Sequence, residues 1–296
     1  VTTYLEGENK ISINKSEKSS SRLTVSPAGI SVAKGAKLTI DNEPGQQGSI
    51  EVLNNTNVSR SGAAIGGNGE QDAGIIHIKG GSVSATSASK GAAIGASVGK
   101  SVEEIRISGG NVTAKSSDGA GIGTGSATKD RTGKIVIEGG TVNASSWSGA
   151  GIGSGYGYAP GSSAIIAKIE IHGGMITAYS YDGACIGSGR DSSSSVLIDG
   201  GTICLVKKNN ESGRNAAHIG KGYESTQAPT DVTITGGTIC LIGADRNIPR
   251  PIIYGWEKAG EKWQKNTAKD GNGNPVYYTT ADLTGIYENN TLVKKA

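Results

Sequence analysis

Residues suited to acid–base chemistry recur immediately before pairs of glycines. Glu138, His172 and Asp199 each precede a Gly-Gly pair. Two carboxyl groups with an imidazole between them resemble the machinery of polysaccharide hydrolysis. If the pairs mark equivalent positions in successive turns of a solenoid, Glu138 and Asp199 lie two turns, or about 10 Å, apart. That is slightly more than the roughly 6.5–9.5 Å between the carboxyl groups of inverting glycosidases.

The surroundings of this column of residues do not favour catalysis. The neighbouring outward column contributes Val136 and Leu197 instead of polar support. The sequence lacks the paired aspartates, Gly-His-Gly and Arg-Ile-Lys that are typical of polygalacturonase-like enzymes. Asp118 and Asp182, in matching loops, form a second and equally unsupported pair. We therefore predict no catalytic residue and interpret these charges as solvated groups. A polysaccharide-degrading enzyme built on the first column is the alternative.

Aromatic residues offer a different chemistry, the recognition of sugars. Trp147 and Tyr181 occupy matching places in consecutive repeats, with Tyr179 turned outward nearby and Asp182 placed to accept a hydroxyl. Sugar rings stack on exposed aromatic rings while neighbouring polar groups bind the hydroxyls. We predict a glycan site here. The competing interpretation is that the rings only cover glycine-rich loops.

A longer loop carries further candidate anchors at what we expect to be another corner of the coil. It contains Tyr156 and Tyr158, and Arg190 follows in the next repeat. Aromatic side chains and arginine are the usual anchors of protein interfaces. A secreted host protein such as a mucin or an immunoglobulin is therefore a second possible partner, which the sequence does not separate from a glycan.

Metal and cofactor sites are not predicted. The three histidines have no ligand spacing between them. The segment from Asp270 to Pro275 begins like a calcium loop, but proline stands where the glycine is needed and Ala281 where the bidentate glutamate is needed. We interpret this segment as a turn, part of a hairpin.

The elements that position these residues follow from an internal repeat. Residues 134–155 read KIVIEGGTVNASSWSGAGIGSG, and five other copies keep the same skeleton. Their Ile-Gly pairs recur every 28 to 34 residues, a period that is typical of solenoids. Each copy holds three apolar alternations of period two, which indicate strands, separated by glycines that allow sharp turns. We predict a right-handed parallel β-helix with three short strands per turn.

The alternation also predicts which side chains face inward and how the chain is divided. We expect the core to contain Ile135, Ile137, Val142, Ala144 and Ile152. Residues 1–60 are predicted to form an N-terminal cap with degenerate first turns, and residues 61–246 the regular coil. Residues 247–296, which are rich in aromatics, are a C-terminal cap or the start of a further module.

Composition excludes several classes of partner. The net charge is +3, and no Lys/Arg run exceeds two residues, so we expect no nucleic-acid binding. The sequence contains no run of about 20 apolar residues, so we do not expect membrane insertion. Three cysteines do not form a disulfide framework, yet Cys204 and Cys240 fall in one outward column of adjacent turns. A disulfide and a pair of free thiols are both compatible with that spacing.

The glycine-rich units GGTVNASSWSGAGIGSG and GGMITAYSYDGACIGSG, followed by NGNPVYYTTADLTG, resemble repeats in large secreted or cell-wall proteins of Gram-positive gut bacteria. The resemblance covers roughly residues 61–290. It implies an extracellular β-helix repeat protein of the adhesin or carbohydrate-binding type. We therefore expect a portion of a longer secreted protein, with a non-catalytic binding function and no cofactor.

Overall fold

The computed structural model describes residues 1–14, 17–18, 24–69, 71–126, 131–157, 165–207, 216–223, 230–242, 253, 256–259, 262–265, 285–288 and 291–295. Across them the chain forms a right-handed parallel β-helix with three strands per turn, which confirms the predicted fold class. These residues include no helix, and so none that is long and apolar enough to cross a membrane.

The first side of the coil, sheet 1, contains eight parallel strands that follow one another along the axis in chain order. They are Thr2–Leu5, Lys37–Asn42, Ala73–Ile78, Val102–Ile107, Arg131–Ile137, Ile165–Ile171, Ser193–Ile198 and Thr230–Ile234. Equivalent residues of successive repeats are direct neighbours. Ile135, for example, pairs with Ile105 on one side and with Ile169 on the other. The repeat therefore converts one inward isoleucine into a continuous buried column.

The second side, sheet 2, begins with eight parallel strands and ends with four antiparallel ones. In spatial order they are Gly7–Ile13, Gly48–Asn54, Ser82–Ser87, Asn111–Ser116, Thr141–Ser146, Met175–Ser180, Thr202–Val206, Thr238–Ile242, Gly285–Glu288, Thr291–Lys295, Lys262–Lys265 and Trp256–Ala259. The direction of the chain reverses where Gly285–Glu288 joins Thr238–Ile242. The turn predicted at 270–275 lies outside the described residues.

The third side, sheet 3, consists of seven two-residue strands. They are Ile30–Ser31, Ile65–Gly66, Ile94–Gly95, Ile122–Gly123, Ile152–Gly153, Ile186–Gly187 and Ile219–Gly220. A separate two-stranded sheet joins Glu17–Lys18 to Thr24–Val25.

The six Ile-Gly strands of sheet 3 each belong to a tight loop that turns into the coil, which we call the inward loop. In one repeat the loop is closed by a hydrogen bond of 2.9 Å from the Ala150 amide to the Ser154 carbonyl. Ile152, at its tip, is completely buried. Gly153 has φ of 138°, and a Cβ there would lie 1.8 Å from the Gly187 carbonyl oxygen of the next turn. Only glycine fits this position, so the repeated Ile-Gly pair is a packing requirement.

The core is built from the predicted columns. Ile135, Ile137, Val142 and Ile152 are fully buried, and Ala144 almost so. Val136, predicted to face outward, is nevertheless buried. It lies between Arg106 and Glu170 on the adjacent strands of sheet 1, and the stems of such long side chains cover apolar neighbours.

The parallel ladders continue across the domain boundary predicted at residue 60. Lys37–Asn42 pairs with Thr2–Leu5 on one side and with Ala73–Ile78 on the other. In the same way, Gly48–Asn54 pairs with Gly7–Ile13 on one side and with Ser82–Ser87 on the other. The irregular first residues therefore contribute strands to the same two sheets as the regular repeats.

Candidate functional site

Three columns of residues lie side by side at the corner that contains the inward loops. The residue after each loop donates a backbone hydrogen bond to the residue before the loop of the preceding turn. The bonds are Tyr156 to Asp118 at 2.9 Å, Arg190 to Ser148 at 3.2 Å and Tyr223 to Asp182 at 2.9 Å. The prediction that Tyr156 lies at another corner is therefore wrong, because the inward loop returns the chain to where it left the surface. We call this surface the corner strip: Ser117, Trp147, Tyr181, Asp118, Ser148, Asp182, Tyr156, Arg190 and Tyr223.

The structure brings Trp147 and Tyr181 together as an aromatic stack. Their ring centroids are 4.3 Å apart and the ring planes differ by 18°. The backbone fixes the pair, since the Asp182 amide donates to the Trp147 carbonyl at 2.8 Å. The centroid separation is close to the spacing of about 4.8 Å between neighbouring strands, so the ring normals run along the coil axis.

One face of Trp147 is covered by Tyr181, and the opposite face points toward the preceding turn. There the column holds Ser117, whose carbonyl accepts a hydrogen bond from the Trp147 amide at 3.0 Å. A serine is too small to cover an indole ring, and 55% of Trp147 is exposed. The uncovered face of the indole ring therefore lies beside a small polar residue that leaves space next to it.

A second aromatic group in the corner strip encloses a cation. The Arg190 guanidinium lies 5.4 Å from the Tyr156 ring centroid and 5.2 Å from that of Tyr223. Both distances are within the range of cation–π attraction. Sequence reasoning missed Tyr223, although a signal was present, because the three residues directly follow the second glycine of an Ile-Gly-x-Gly segment in consecutive repeats.

The residue after Arg190 has an unusual backbone conformation. Asp191 has φ of 52°, and no other described non-glycine residue has a positive φ. Its amide donates to the Tyr223 carbonyl at 3.3 Å, and its carboxylate lies 3.6 Å from Nε of Arg190. Residues held in sparsely populated conformations cluster at functional sites. Here the conformation turns the backbone so that Asp191 contacts both Arg190 and the turn that carries Tyr223.

The remaining predicted binding residues differ in accessibility. Asp182 is only 2% exposed, so its side chain belongs to the interior of the corner and does not reach a ligand. Tyr179 is half-buried, and its burial raises the pKa of the phenol, with smaller contributions from Cys185, Tyr181 and Asp182. It therefore keeps its proton at neutral pH and can donate a hydrogen bond. Tyr158 lies outside the described residues.

A column of polar side chains in sheet 2 supports the corner strip from below, and sequence reasoning did not identify it. The hydroxyls of Ser146 and Ser180 donate to the carbonyls of Gly119 and Gly149, each at 2.7 Å. In the following turn the buried Lys207 donates to the carbonyls of Gly183 and, at 3.5 Å, Tyr181. These bonds satisfy backbone groups that the sharp corner leaves without sheet partners.

The acidic column on sheet 1 is divided between different partners. The structure brings His172 and Asp199 together, with 2.8 Å from Nδ1 to the carboxylate. Glu138 instead accepts a hydrogen bond from Arg106 of the preceding turn. Arg106 also donates from Nε to Glu104 at 2.9 Å. The column therefore takes part in side-chain hydrogen bonds that run from turn to turn.

Neighbouring charges complete this surface, which we call the ion-pair face: Glu104, Arg106, Lys134, Glu138, Lys168, Glu170, His172 and Asp199. Lys134 lies 3.2 Å from Glu104, and Lys168 lies 2.8 Å from Glu170. Burial by itself would raise the pKa of Glu104, but hydrogen bonds from Arg106 and Lys134 outweigh it and lower the pKa. Within the described ranges, no group of three or more His, Cys, Asp or Glu side chains could hold a metal ion.

Comparison with known proteins identifies the repeat. The family model described as beta helix repeat matches residues 76–98, 105–126, 135–156 and 169–190. No curated protein and no solved structure matches the chain. The matched segments contain Trp147, Tyr156, Tyr181 and Arg190, so the corner strip, apart from Tyr223, is formed within the matched repeats. Together with the three-sided coil, these matches support a β-helix repeat protein.

Proposed function

We propose that the corner strip binds glycans, with the exposed face of Trp147 as the platform on which a sugar ring stacks. The observation that carries this proposal is the Trp147–Tyr181 stack above Ser117. Tyr181 fixes the indole from one side, and the small serine leaves space on the other. Such a preformed aromatic face binds without the cost of ordering a flexible side chain.

Polar groups beside the platform complete the proposed site. Lys115, Ser145 and Tyr179 are neighbours in one outward column of sheet 2, next to the corner strip. Lys115 is exposed, and burial raises the pKa of the Tyr179 phenol still further above neutral, so this hydroxyl can donate a hydrogen bond. An ammonium and two hydroxyls suit the hydroxyl-rich edge of a sugar. The ring would provide affinity and these groups orientation.

The proposed activity is recognition without catalysis. Glu138 and Asp199 each have a basic partner in the ion-pair face, which favours a structural role for both carboxylates. The resemblance of the glycine-rich units to Gram-positive cell-surface repeats supports an extracellular, adhesin-like module. The proposed ligand is accordingly a host glycan, such as that of a mucin, and the alternative partner is a secreted host protein such as an immunoglobulin.

The test measures binding of the purified chain to immobilised intestinal mucin before and after glycosidase treatment. We expect Trp147→Ala to weaken binding to untreated mucin roughly tenfold or more, which corresponds to about 1.4 kcal/mol. Tyr181→Ala should weaken it less, because it removes only the support of the ring. Tyr4→Ala is the matched control, since Tyr4 is as exposed as Trp147 but lies on the first strand of sheet 1.

Each other outcome assigns the surface differently. Binding that survives deglycosylation but is lost in Trp147→Ala would make the corner strip a protein interface. Binding that Trp147→Ala and Tyr4→Ala leave equally intact, with circular dichroism unchanged, would overturn the site. Release of sugars by the wild-type chain but not by Glu138→Ala would restore the enzyme alternative.

A further inference from the structure

Two cysteines near the last parallel turn are direct neighbours across the ladder. Cys204 of Thr202–Val206 pairs with Cys240 of Thr238–Ile242. The residues on either side of each cysteine are buried in the core, so both thiols belong to the outer face of sheet 2. Both cysteines are half-buried, and both are free.

The geometry of this pair meets the requirement for a covalent bond. Neighbouring strands of a sheet are about 4.8 Å apart, and disulfides span Cα separations of roughly 4.4–6.8 Å. In-register residues of parallel strands also direct their Cβ atoms to the same side of the sheet. We propose that Cys204 and Cys240 are a redox-active pair that closes into a disulfide across the last two parallel turns.

The order of events follows from the state of the two thiols. Burial raises the pKa of Cys204 to about 11, and the charge and hydrogen bond of Cys240 add to this effect. A charge on one sulfur opposes ionisation of the other, so the two thiols react in turn and either can be the first nucleophile. The first thiolate attacks a small disulfide such as oxidised glutathione, forming a mixed disulfide and releasing one glutathione thiolate. The other cysteine then loses its proton to solvent, and its sulfur displaces the second glutathione. Two protein thiols are oxidised, and one glutathione disulfide is reduced to two thiols.

The disulfide would have a structural effect on the corner strip. The chain between the two cysteines includes Tyr223, which contacts the Arg190 guanidinium and accepts the Asp191 amide bond. Linking the cysteines restricts the unfolded chain over 36 residues and opposes separation of the last two turns. Oxidation would therefore hold Tyr223 in place, independently of whether the strip binds a glycan.

Cys185 provides an internal control. It is completely buried and its thiol donates to the Val206 carbonyl at 3.3 Å. Burial raises the pKa of this thiol, so it is protected from oxidation because it is inaccessible and because it keeps its proton. Trypsin cleavage places the three cysteines on different peptides, spanning 169–190, 191–207 and 222–246.

The experiment incubates the reduced chain with oxidised glutathione, then alkylates it, digests it and identifies the peptides by mass spectrometry. We expect the 191–207 and 222–246 peptides to be linked with the loss of two hydrogens, and Cys185 to be alkylated only after denaturation. Cys204→Ser and Cys240→Ser should each stop at the mixed disulfide, with glutathione retained on the remaining cysteine of the pair. In the oxidised wild type, amide hydrogen exchange in Thr202–Val206 and Thr238–Ile242 should slow, and a reductant should reverse it.

Two results would overturn the proposal. One is that Cys204 and Cys240 of the folded chain remain fully alkylatable, although the same reagent oxidises Cys185 in a parallel sample unfolded in urea. The other is that Cys185 pairs with either of them in the folded chain. The cysteine-to-serine variants retain hydrophilic groups of similar size on an outer face, so circular dichroism should confirm that they fold.

Discussion

The corner strip and the ion-pair face are built by the same repeat, yet their side chains are satisfied in different ways. On the ion-pair face Arg106 reaches Glu138 in the next turn and Glu104 in its own strand, so neighbouring charges complete one another. In the corner strip Trp147 is stacked on Tyr181 on one side only. The column changes from serine to tryptophan within a single turn, and among the described residues no equivalent ring covers the second face.

This difference indicates where to look for binding on a repeat surface. A charge is satisfied by a single partner across about 4.8 Å, so a column of alternating charges needs no further ligand. An aromatic ring has two faces, and one stays exposed wherever the column of rings ends. The informative position on a solenoid is therefore the place where residue size changes abruptly between turns.

The largest expected effect comes from removing the core beneath each surface. Ile152 lies under the corner strip and Ile137 under the ion-pair face, and both are fully buried. Changing either to alanine should lower the free energy of unfolding by about 2–5 kcal/mol, measured by urea denaturation. Valine at either position should cost about 0.5–1.5 kcal/mol.

Only Ile152→Ala should also speed amide hydrogen exchange at Trp147 and Ser148. Equal acceleration in Ile137→Ala would mean that the two surfaces do not depend on separate parts of the core.

Arg190→Lys should have the next largest effect, because it keeps the charge but loses the planar guanidinium between two tyrosine rings. We expect a loss of about 1 kcal/mol in the free energy of unfolding, the range for cation–π contacts at partly exposed sites. Lys134→Arg on the ion-pair face is the control and should have little effect. No difference between the two variants would show that the contacts with Tyr156 and Tyr223 contribute nothing to stability.

The ion-pair face should make the stability of the fold depend on pH in the acid range. Because the folded pKa of Glu104 lies below its ordinary value of 4.5, the unfolded chain binds more protons in acid. The stabilisation is present above that ordinary value and is lost as the pH falls through the folded pKa. Glu104→Gln should therefore flatten the acid limb of stability against pH, measured by thermal unfolding between about pH 3 and 6. Glu103→Gln, a change at the exposed neighbouring residue, should keep the limb, and identical profiles for both variants would contradict this assignment.

Glu138→Gln should have the smallest effect. The Arg106–Glu138 pair is partly exposed on both sides, and such pairs contribute about 0.2–1 kcal/mol. The loss should shrink as sodium chloride is raised, because salt screens exposed charges. Mucin binding should stay unchanged. A loss of binding comparable to that of Trp147→Ala would move the ligand site from the corner strip to sheet 1.

The repeat spacing was sufficient to predict the coil, its three sheets and its core columns. Period-two alternation with fixed glycines leaves only one way to bury Ile135, Val142 and Ile152 together. The proximity of Trp147 and Tyr181 was predicted for the same reason, since equal positions in consecutive turns become neighbours, whereas the stacking of their rings was not predicted. The pairing register between successive turns can therefore be predicted from the sequence.

What sequence reasoning missed depends on the path within one turn. Alternation does not show that the Ile-Gly strand lies in an inward loop that closes between Ala150 and Ser154, so Tyr156 was expected at a different corner. Burial was misjudged at Asp182 and Val136 because it depends on the size of neighbours in adjacent turns. Such contacts come from loops and side chains that have no periodicity of their own.

The reversal of chain direction after Thr238–Ile242 has a consequence for self-association. A coil whose every turn is a template for the next presents an open edge on which identical chains could add indefinitely, as in a fibril. In sheet 2 that edge is occupied by Gly285–Glu288, which runs the opposite way. The strands that follow, Thr291–Lys295, Lys262–Lys265 and Trp256–Ala259, continue to alternate in direction, so the outermost described strand of this sheet is Trp256–Ala259 and not a turn of the coil. The parallel ladder of sheet 2 thus ends at Thr238–Ile242 within one chain, and a second copy at that end would meet a strand from outside the repeat instead of a turn of the coil.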